Sequence, residues 1–241
     1  MNVINDILRN DAAANLALDE FLLYQNEEVL RFWECARPVV VAGRSGLIEE
    51  QVRVEACAAD GVDVLRRCSG GGAVVLGPGC LNYSLVFSFE RRPRWRDVRR
   101  SIREILGRMS RALGAEICDP SDLACAGRKV SGNSQRRTAS AVLHHGTLLY
   151  DFDAELASRY LLEPKRQPAY RRGRTHAQFL GNLPLSAPEI EQRVAEAWFA
   201  RLPPNDVQYP NGVQYEDETD RVLCIPMRSG GGATGAAAGA S

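Results

Sequence analysis

Strand-like runs in this chain come in adjacent groups, and that grouping restricts the fold more than any other feature. VLRFWEC (29–35) and PVVVAGR (38–44) are separated only by a short turn at Ala36-Arg37-Pro38. DVLRRCSGGGAVVL (63–76) has the pattern strand, Gly-rich turn, strand, and CLNYSLVFSF (80–89) follows with alternating, aromatic and β-branched residues. SDLACAGRKVSGNSQRR (121–137) predicts a hairpin turning near Gly127, and AVLHHGTLLYDF (141–152) a further strand. The expectation is an α+β fold with a mixed, largely antiparallel sheet flanked by helices.

Helical spacing appears at 11–24, where Leu16, Phe21, Leu22 and Leu23 share an apolar face, and at 48–61, which starts acidic and stops on Gly61. Residues 91–117 open as a basic loop and become a helix carrying Ile102, Ile105, Leu106, Met109 and Leu113. Shorter helices are expected at 153–162 and 187–201. The run SGGGATGAAAGAS (229–241) has nothing to bury and is expected to be disordered, leaving one domain over residues 1–228.

The formal net charge is zero, so no global field draws the molecule to nucleic acid or to an anionic membrane. No apolar run approaches the length of a membrane span. The first twenty residues carry acids and lack the basic-then-apolar pattern of a secretory leader. Seven cysteines are scattered without a CxxC pair, which points to free thiols and a reducing, cytoplasmic setting.

Of the 30 basic residues only two are lysines, Lys129 and Lys165. A lysine retained in Gly127-Arg128-Lys129-Val130-Ser131-Gly132-Asn133 fits a site that wants a compact ammonium, although a chance survivor in an Arg-biased chain would look the same. In Arg66-Arg67-Cys68-Ser69-Gly70-Gly71-Gly72-Ala73-Val74 three glycines allow the backbone to approach a ligand and present N–H groups, with an arginine beside them for phosphate oxygens. This is neither a Walker loop nor a GxGxxG turn opening a helix. Asp122 and Lys129 face each other across the predicted hairpin, as a metal-ordering carboxylate and an anion-binding lysine or as a cross-strand ion pair. His144 and His145 are neighbours on a strand, so only one can serve a given pocket. KRQPAYRRGR (165–174) has the look of a mobile basic loop, a lid or a dock for an acidic partner.

Taken together, NLALDE (15–20), PVVVAGR (38–44), RRCSGGGAVV (66–75), LNYS (81–84), SDLACAGRKVSGNSQRR (121–137) and LHHGTLL (143–149) resemble the lipoate–protein ligase branch of the biotin/lipoyl protein ligase superfamily. The resemblance implies that family's catalytic-domain fold, with an acyl-adenylate between the Gly-rich turn and the lysine hairpin. It implies ATP-dependent activation of lipoate to lipoyl-AMP and transfer to a lysine of a lipoyl domain. ATP, Mg²⁺ and lipoate are then substrates, and no tightly bound cofactor is expected.

Carried over by motif, Lys129 is the lysine at the carboxylate and α-phosphate, Arg67 the phosphate-binding arginine, and Asp122 a carboxylate that helps order magnesium. Ser69, Gly70, Gly71, Gly72, Ala73, Val74 and Val75 match the substrate- and nucleotide-lining turn. Asn82, Ser131, Gly132, His145, Gly146 and Thr147 match the rest of the pocket. The segment after about residue 182 is too short for the family's accessory C-terminal domain, so a separate small protein is an expected partner. Two other readings compete: an octanoyl or lipoyl acyltransferase using a cysteine such as Cys118, and a non-catalytic module binding lipoate or a lipoyl domain.

Overall fold

In the computed structural model, which describes residues 2–5, 11–25, 27–118 and 121–199, the sheet is organised around one fully buried strand. That strand, β6 (Cys80–Ser88), follows β1 (Asn2–Asn5), β2 (Val29–Glu34), β3 (Val39–Ala42), β4 (Val64–Arg66) and β5 (Val74–Leu76). After it come β7 (Glu116–Cys118), β8 (Asp122–Cys125), β9 (Arg128–Arg137) and β10 (Ala141–Leu149). The large sheet runs β1-β2-β6-β10-β9-β8-β7, antiparallel except at β1–β2. A second sheet of three strands runs β4-β3-β5.

Alternation along β6 assigns its two faces. Tyr83, Leu85 and Phe87 join the main core beneath α3 (Val98–Leu113) and α6 (Ala187–Phe199), which contribute Ile105, Leu106, Met109, Ile190, Val194 and Trp198. The opposite face carries Asn82, Ser84 and Val86, and Val86 packs with Leu22 and Leu23 of α1 (Ala12–Leu23). The polar pair therefore sits at a mouth between core clusters. Helix α3 starts on Asp97, whose carboxylate accepts from the Arg100 N–H at 2.6 Å, and ends on Gly114 at φ 65°.

The predicted hairpin forms with the turn where the sequence puts it. Ala126 (φ 48°) and Gly127 (φ 72°) are both left-handed, the geometry of a two-residue turn that matches strand twist. Three expectations are altered. The one sheet expected is two, and the strands at 29–35 and 38–44 enter different ones. β4 and β5 form as read and flank β3. The segment 48–61 is broken into a 3-10 turn at Ile48–Glu50 and α2 (Val54–Asp60), because Val52 bridges to Leu161 and the Arg53 N–H donates to the Tyr160 carbonyl. The helix expected to run to 117 gives way to β7.

Helices α4 (Ala154–Tyr160) and α5 (His176–Phe179) bracket the basic segment 165–174. That segment does not stand free. Arg171 is buried, ion-paired with Glu163 and stacked 4.8 Å from the Phe179 ring, while Arg174 donates to the Gly127 carbonyl at the hairpin turn. The expected disordered run 229–241 and the end of the 1–228 domain lie outside the described residues. Among the described residues no helix is long and apolar enough to cross a membrane.

Candidate functional site

A groove of about 240 Å³ opens between the two sheets. Its floor is the pair β6–β10, through Asn82, His145, Gly146 and Thr147. One wall is the Gly-rich turn with Arg67, Gly71, Gly72, Ala73 and Val74, and the facing wall is the hairpin with Asp122, Lys129 and Gly132. Leu16, Trp33, Val41 and Leu76 add apolar lining. Segments far apart in sequence thus converge on one cleft with apolar and cationic parts.

Four of the residues expected at the site do not line the groove. Ser69 is buried behind the turn, and Gly70 offers its carbonyl to Arg67 and to Ser134. Val75 points into the core under the small sheet, and Ser131 is fully buried on the hairpin. Strand alternation accounts for the last two: Val74 and Gly132 face the groove, so their neighbours face away.

The approach of β3 to the Gly-rich turn explains one glycine. A Cβ at Gly43 would lie 2.0 Å from the Gly71 carbonyl oxygen, so the chain can pass there only without a side chain. Gln51 closes the turn from below, accepting from the Ala73 N–H at 2.8 Å.

Arg67 is held almost entirely by main chain. Its Nη1 donates to the Val41 carbonyl at 3.2 Å, and Nη2 donates to the Gly70 and Gly72 carbonyls at 2.6 and 2.9 Å. Its Nε donates to Ser69 Oγ at 3.1 Å. Burial lowers its pKa to about 10, which leaves it cationic at neutral pH. Among the described residues it has no carboxylate partner within ion-pair distance. A desolvated cation without a counter-ion attracts an anion.

Lys129 differs. Its Nζ lies 2.8 Å from Asp122 Oδ1, and Tyr170 of the basic segment donates to Asp122 Oδ2 at 2.8 Å. The cross-strand ion pair is therefore formed, and both carboxylate oxygens have partners. Among the described residues no group of three His, Cys, Asp or Glu could hold a metal ion.

The two histidines divide as strand geometry requires. His145 faces the groove and bonds Ser69 Oγ through Nε2 (2.6 Å) and Asp19 Oδ2 through Nδ1 (3.2 Å). His144 is sealed on the other face between Tyr83 OH and Gln135, and burial, with the neighbouring His145, lowers its pKa to about 3.

Asp19 was not singled out by sequence. It is buried, its Oδ1 accepts from Arg31 at 2.7 Å, and its Oδ2 accepts from Ser84 at 2.7 Å. Burial raises its pKa, but the bond and charge from His145, the charge of Arg31 and the Ser84 bond outweigh this and lower it. Asn15 and Asp19, four apart on an otherwise apolar helix face, were the available signal. Gln51, Asn133 and Ser134 were also missed, and isolated amides and hydroxyls in strands and loops carry no such signal.

The family model described as the lipoyl protein ligase A/B catalytic domain matches residues 11–197. Lipoate-protein ligase LplJ of Bacillus subtilis is 29% identical over 146 residues, covering 59% of this chain and 44% of that protein. Octanoyltransferase LipM of Oceanobacillus iheyensis is 27% identical over 204 residues, covering 71% and 74%. A solved structure described as a bi-partite lipoate protein ligase and its E2 lipoyl domain, from Thermoplasma acidophilum, shares the fold. Its TM-score is 0.65 at 23% identity, over 82% of this chain and 80% of that one. The chain spans less than half the length of the first curated ligases it matches.

Proposed function

The chain belongs to the lipoyl protein ligase A/B catalytic domain family, and from that premise we propose that it is a lipoate–protein ligase acting through an acyl-adenylate. The observation that carries this reading is the pairing of two cations on opposite walls of one groove: Arg67, with no carboxylate partner among the described residues, on the glycine turn, and Lys129 on the hairpin. A groove that only held a neutral acyl chain would gain nothing from a half-buried guanidinium held by carbonyls with no carboxylate beside it among the described residues.

In the proposed reaction a carboxylate oxygen of lipoate attacks the α-phosphorus of ATP and pyrophosphate leaves. Lys129 offsets the negative charge that develops at the α-phosphoryl oxygens, and Arg67 binds the anion at the opposite wall. The acceptor lysine amine of a lipoyl domain then attacks the acyl carbon, and AMP leaves. Magnesium enters as part of the nucleotide substrate. The apolar residues Leu16, Trp33, Val41 and Leu76 supply a place for the acyl chain.

The acceptor is proposed to be a lipoyl domain, supported by the printed description of the structural neighbour, and a separate small protein is proposed to assist adenylation, since that neighbour is described as bi-partite. The test is incubation with ATP, Mg²⁺ and lipoate, following pyrophosphate and lipoyl-AMP by mass spectrometry. Absence of both products, even with the small partner protein and a lipoyl-domain acceptor present, would overturn the ligase reading.

The similarity to an octanoyltransferase gives the second reading its observation. Its candidate nucleophile, Cys118, stands on β7 in register with Asp122. Burial raises its pKa, and Glu116 and Asp122 raise it further, the opposite of what an attacking thiolate needs. The ligase reading is therefore preferred.

A further inference from the structure

A hydrogen-bonded chain of four side chains leads from the core to the anion-facing arginine: Asp19 to His145 to Ser69 to Arg67, at 3.2, 2.6 and 3.1 Å. Asp19, His145 and Ser69 are each less than a tenth exposed. An ionised Asp19 can only accept, so His145 donates from Nδ1, and in the singly protonated ring Nε2 is then an acceptor. Ser69 must then donate its hydroxyl proton to Nε2, which leaves its oxygen free to accept from Arg67 Nε.

The order Asp–His–Ser is that of a nucleophilic triad, but the serine is not placed to attack. It is 1% exposed, and its oxygen already receives the Arg67 N–H. One of its two lone pairs is taken by the guanidinium, and burial keeps a carbonyl carbon from the other.

We propose that Asp19, acting through His145 and Ser69, is a positioning residue for Arg67, fixing the plane in which the guanidinium meets the anionic part of the substrate. This rests on the ligase reading only for the identity of that anion. Without a defined hydroxyl proton, Ser69 could rotate and the Nε bond would be lost. The carbonyls of Val41, Gly70 and Gly72 would still hold Nη1 and Nη2, but the Nε edge of the guanidinium would lose its one side-chain partner. Arg31, fully buried on the far side of Asp19, keeps that carboxylate ionised and so keeps the chain polarised in one direction.

The test reads Arg67 itself. In ¹⁵N-arginine-labelled protein at pH 7, the Nε–H resonance that disappears in Arg67→Lys is Arg67's, and its exchange with water is measured. It is expected to be protected in the wild type and to exchange at least tenfold faster in Asp19→Asn, His145→Gln and Ser69→Ala. His145→Gln and Ser69→Ala keep the result readable if Asp19→Asn, which removes a charge that pairs with buried Arg31, fails to fold.

In parallel, calorimetry with α,β-methylene-ATP is expected to show about tenfold weaker binding for Ser69→Ala, and no further loss when Ser69→Ala is added to Arg67→Ala. Unchanged exchange, or losses that add in the double variant, would overturn the proposal, as would an acyl group found on Ser69. If the wild type does not bind the analogue, the nucleotide reading falls, while the exchange rates still decide the relay.

Discussion

Lys129 Nζ lies 2.8 Å from Asp122 Oδ1 across the hairpin, so the groove's lysine already holds a counter-ion before any substrate enters. In the proposed reaction an incoming phosphate must share or displace that carboxylate, whose other oxygen accepts from Tyr170.

Lys129→Ala is therefore expected to cut acyl-adenylate formation by about 10²–10³-fold, the scale of losing one preorganised donor at a developing charge. Lys129→Arg should fail as well, because the fork places its charge differently. The lysine side chain is 25% exposed and Asp122's 9%, so the pair is half-wet, and its loss should cost only about 1–2 kcal/mol of stability. Pyrophosphate release and a thermal melt separate the two effects. Near-normal adenylation by Lys129→Ala would end the mechanism.

Gly132→Ala offers a gentler version of the same test. A Cβ there would come within 2.9 Å of Lys129 Cε and Nζ, the flexible end of the side chain. The lysine can swing aside, so the fold should survive while adenylation falls. Gly43→Ala should behave differently, because its Cβ would meet the Gly71 carbonyl at 2.0 Å and backbone must move. It is expected to lower both melting temperature and nucleotide affinity. Equal behaviour of the two variants would contradict this contrast.

If the chain is a ligase, Cys118→Ser and Cys125→Ser should each retain activity, and turnover should require ATP. Burial raises the pKa of both thiols. Trapping an octanoyl thioester on Cys118, with transfer in the absence of ATP, would reverse the ranking of the two readings.

The sealed His144 predicts a pH dependence of stability. Its pKa is about 3 in the fold, against 6.5 for the free side chain, so the unfolded chain binds the extra proton first as pH falls. Stability from this group is complete above pH 6.5 and is lost at about 1.4 kcal/mol per unit as pH drops toward 3. Denaturant unfolding between pH 7 and 5 should show that slope in the wild type and a flatter one in His144→Gln.

The purified 241-residue chain is expected to transfer preformed lipoyl-AMP to a lipoyl domain faster than it makes lipoyl-AMP from ATP. The groove is open to water at Lys129, which weakens charge stabilisation of the first step and exposes the mixed anhydride to hydrolysis. A small partner protein should speed the first step. Rapid single-chain lipoylation from ATP would show that it is dispensable.

Much of this arrangement was legible in the sequence because periodicity and turn chemistry are local. The hairpin at Ala126-Gly127, the strand at β6 and the helix at α3 each announce themselves within a dozen residues. What alternation does not encode is the partner. Residues 29–35 and 38–44 are both good strands, yet nothing in them says that one joins the large sheet and the other the small one. The break at Val52 comes from Leu161, more than a hundred residues away. Asp19 and Ser84 looked like polar positions on ordinary elements; the β6–β10 register sets Ser84 opposite His145, and the packing of α1 on the floor strands brings Asp19 to both.

Arg67 leans on the carbonyls of Val41, Gly70 and Gly72. A carbonyl belongs to the route of the main chain and is the same whichever side chain stands above it. The position of that charge is thus stored in the path of the backbone, which gives the residue beside it freedom to vary. A cysteine at position 68, between the arginine and the serine, costs the anion-facing wall nothing as long as the loop keeps its course.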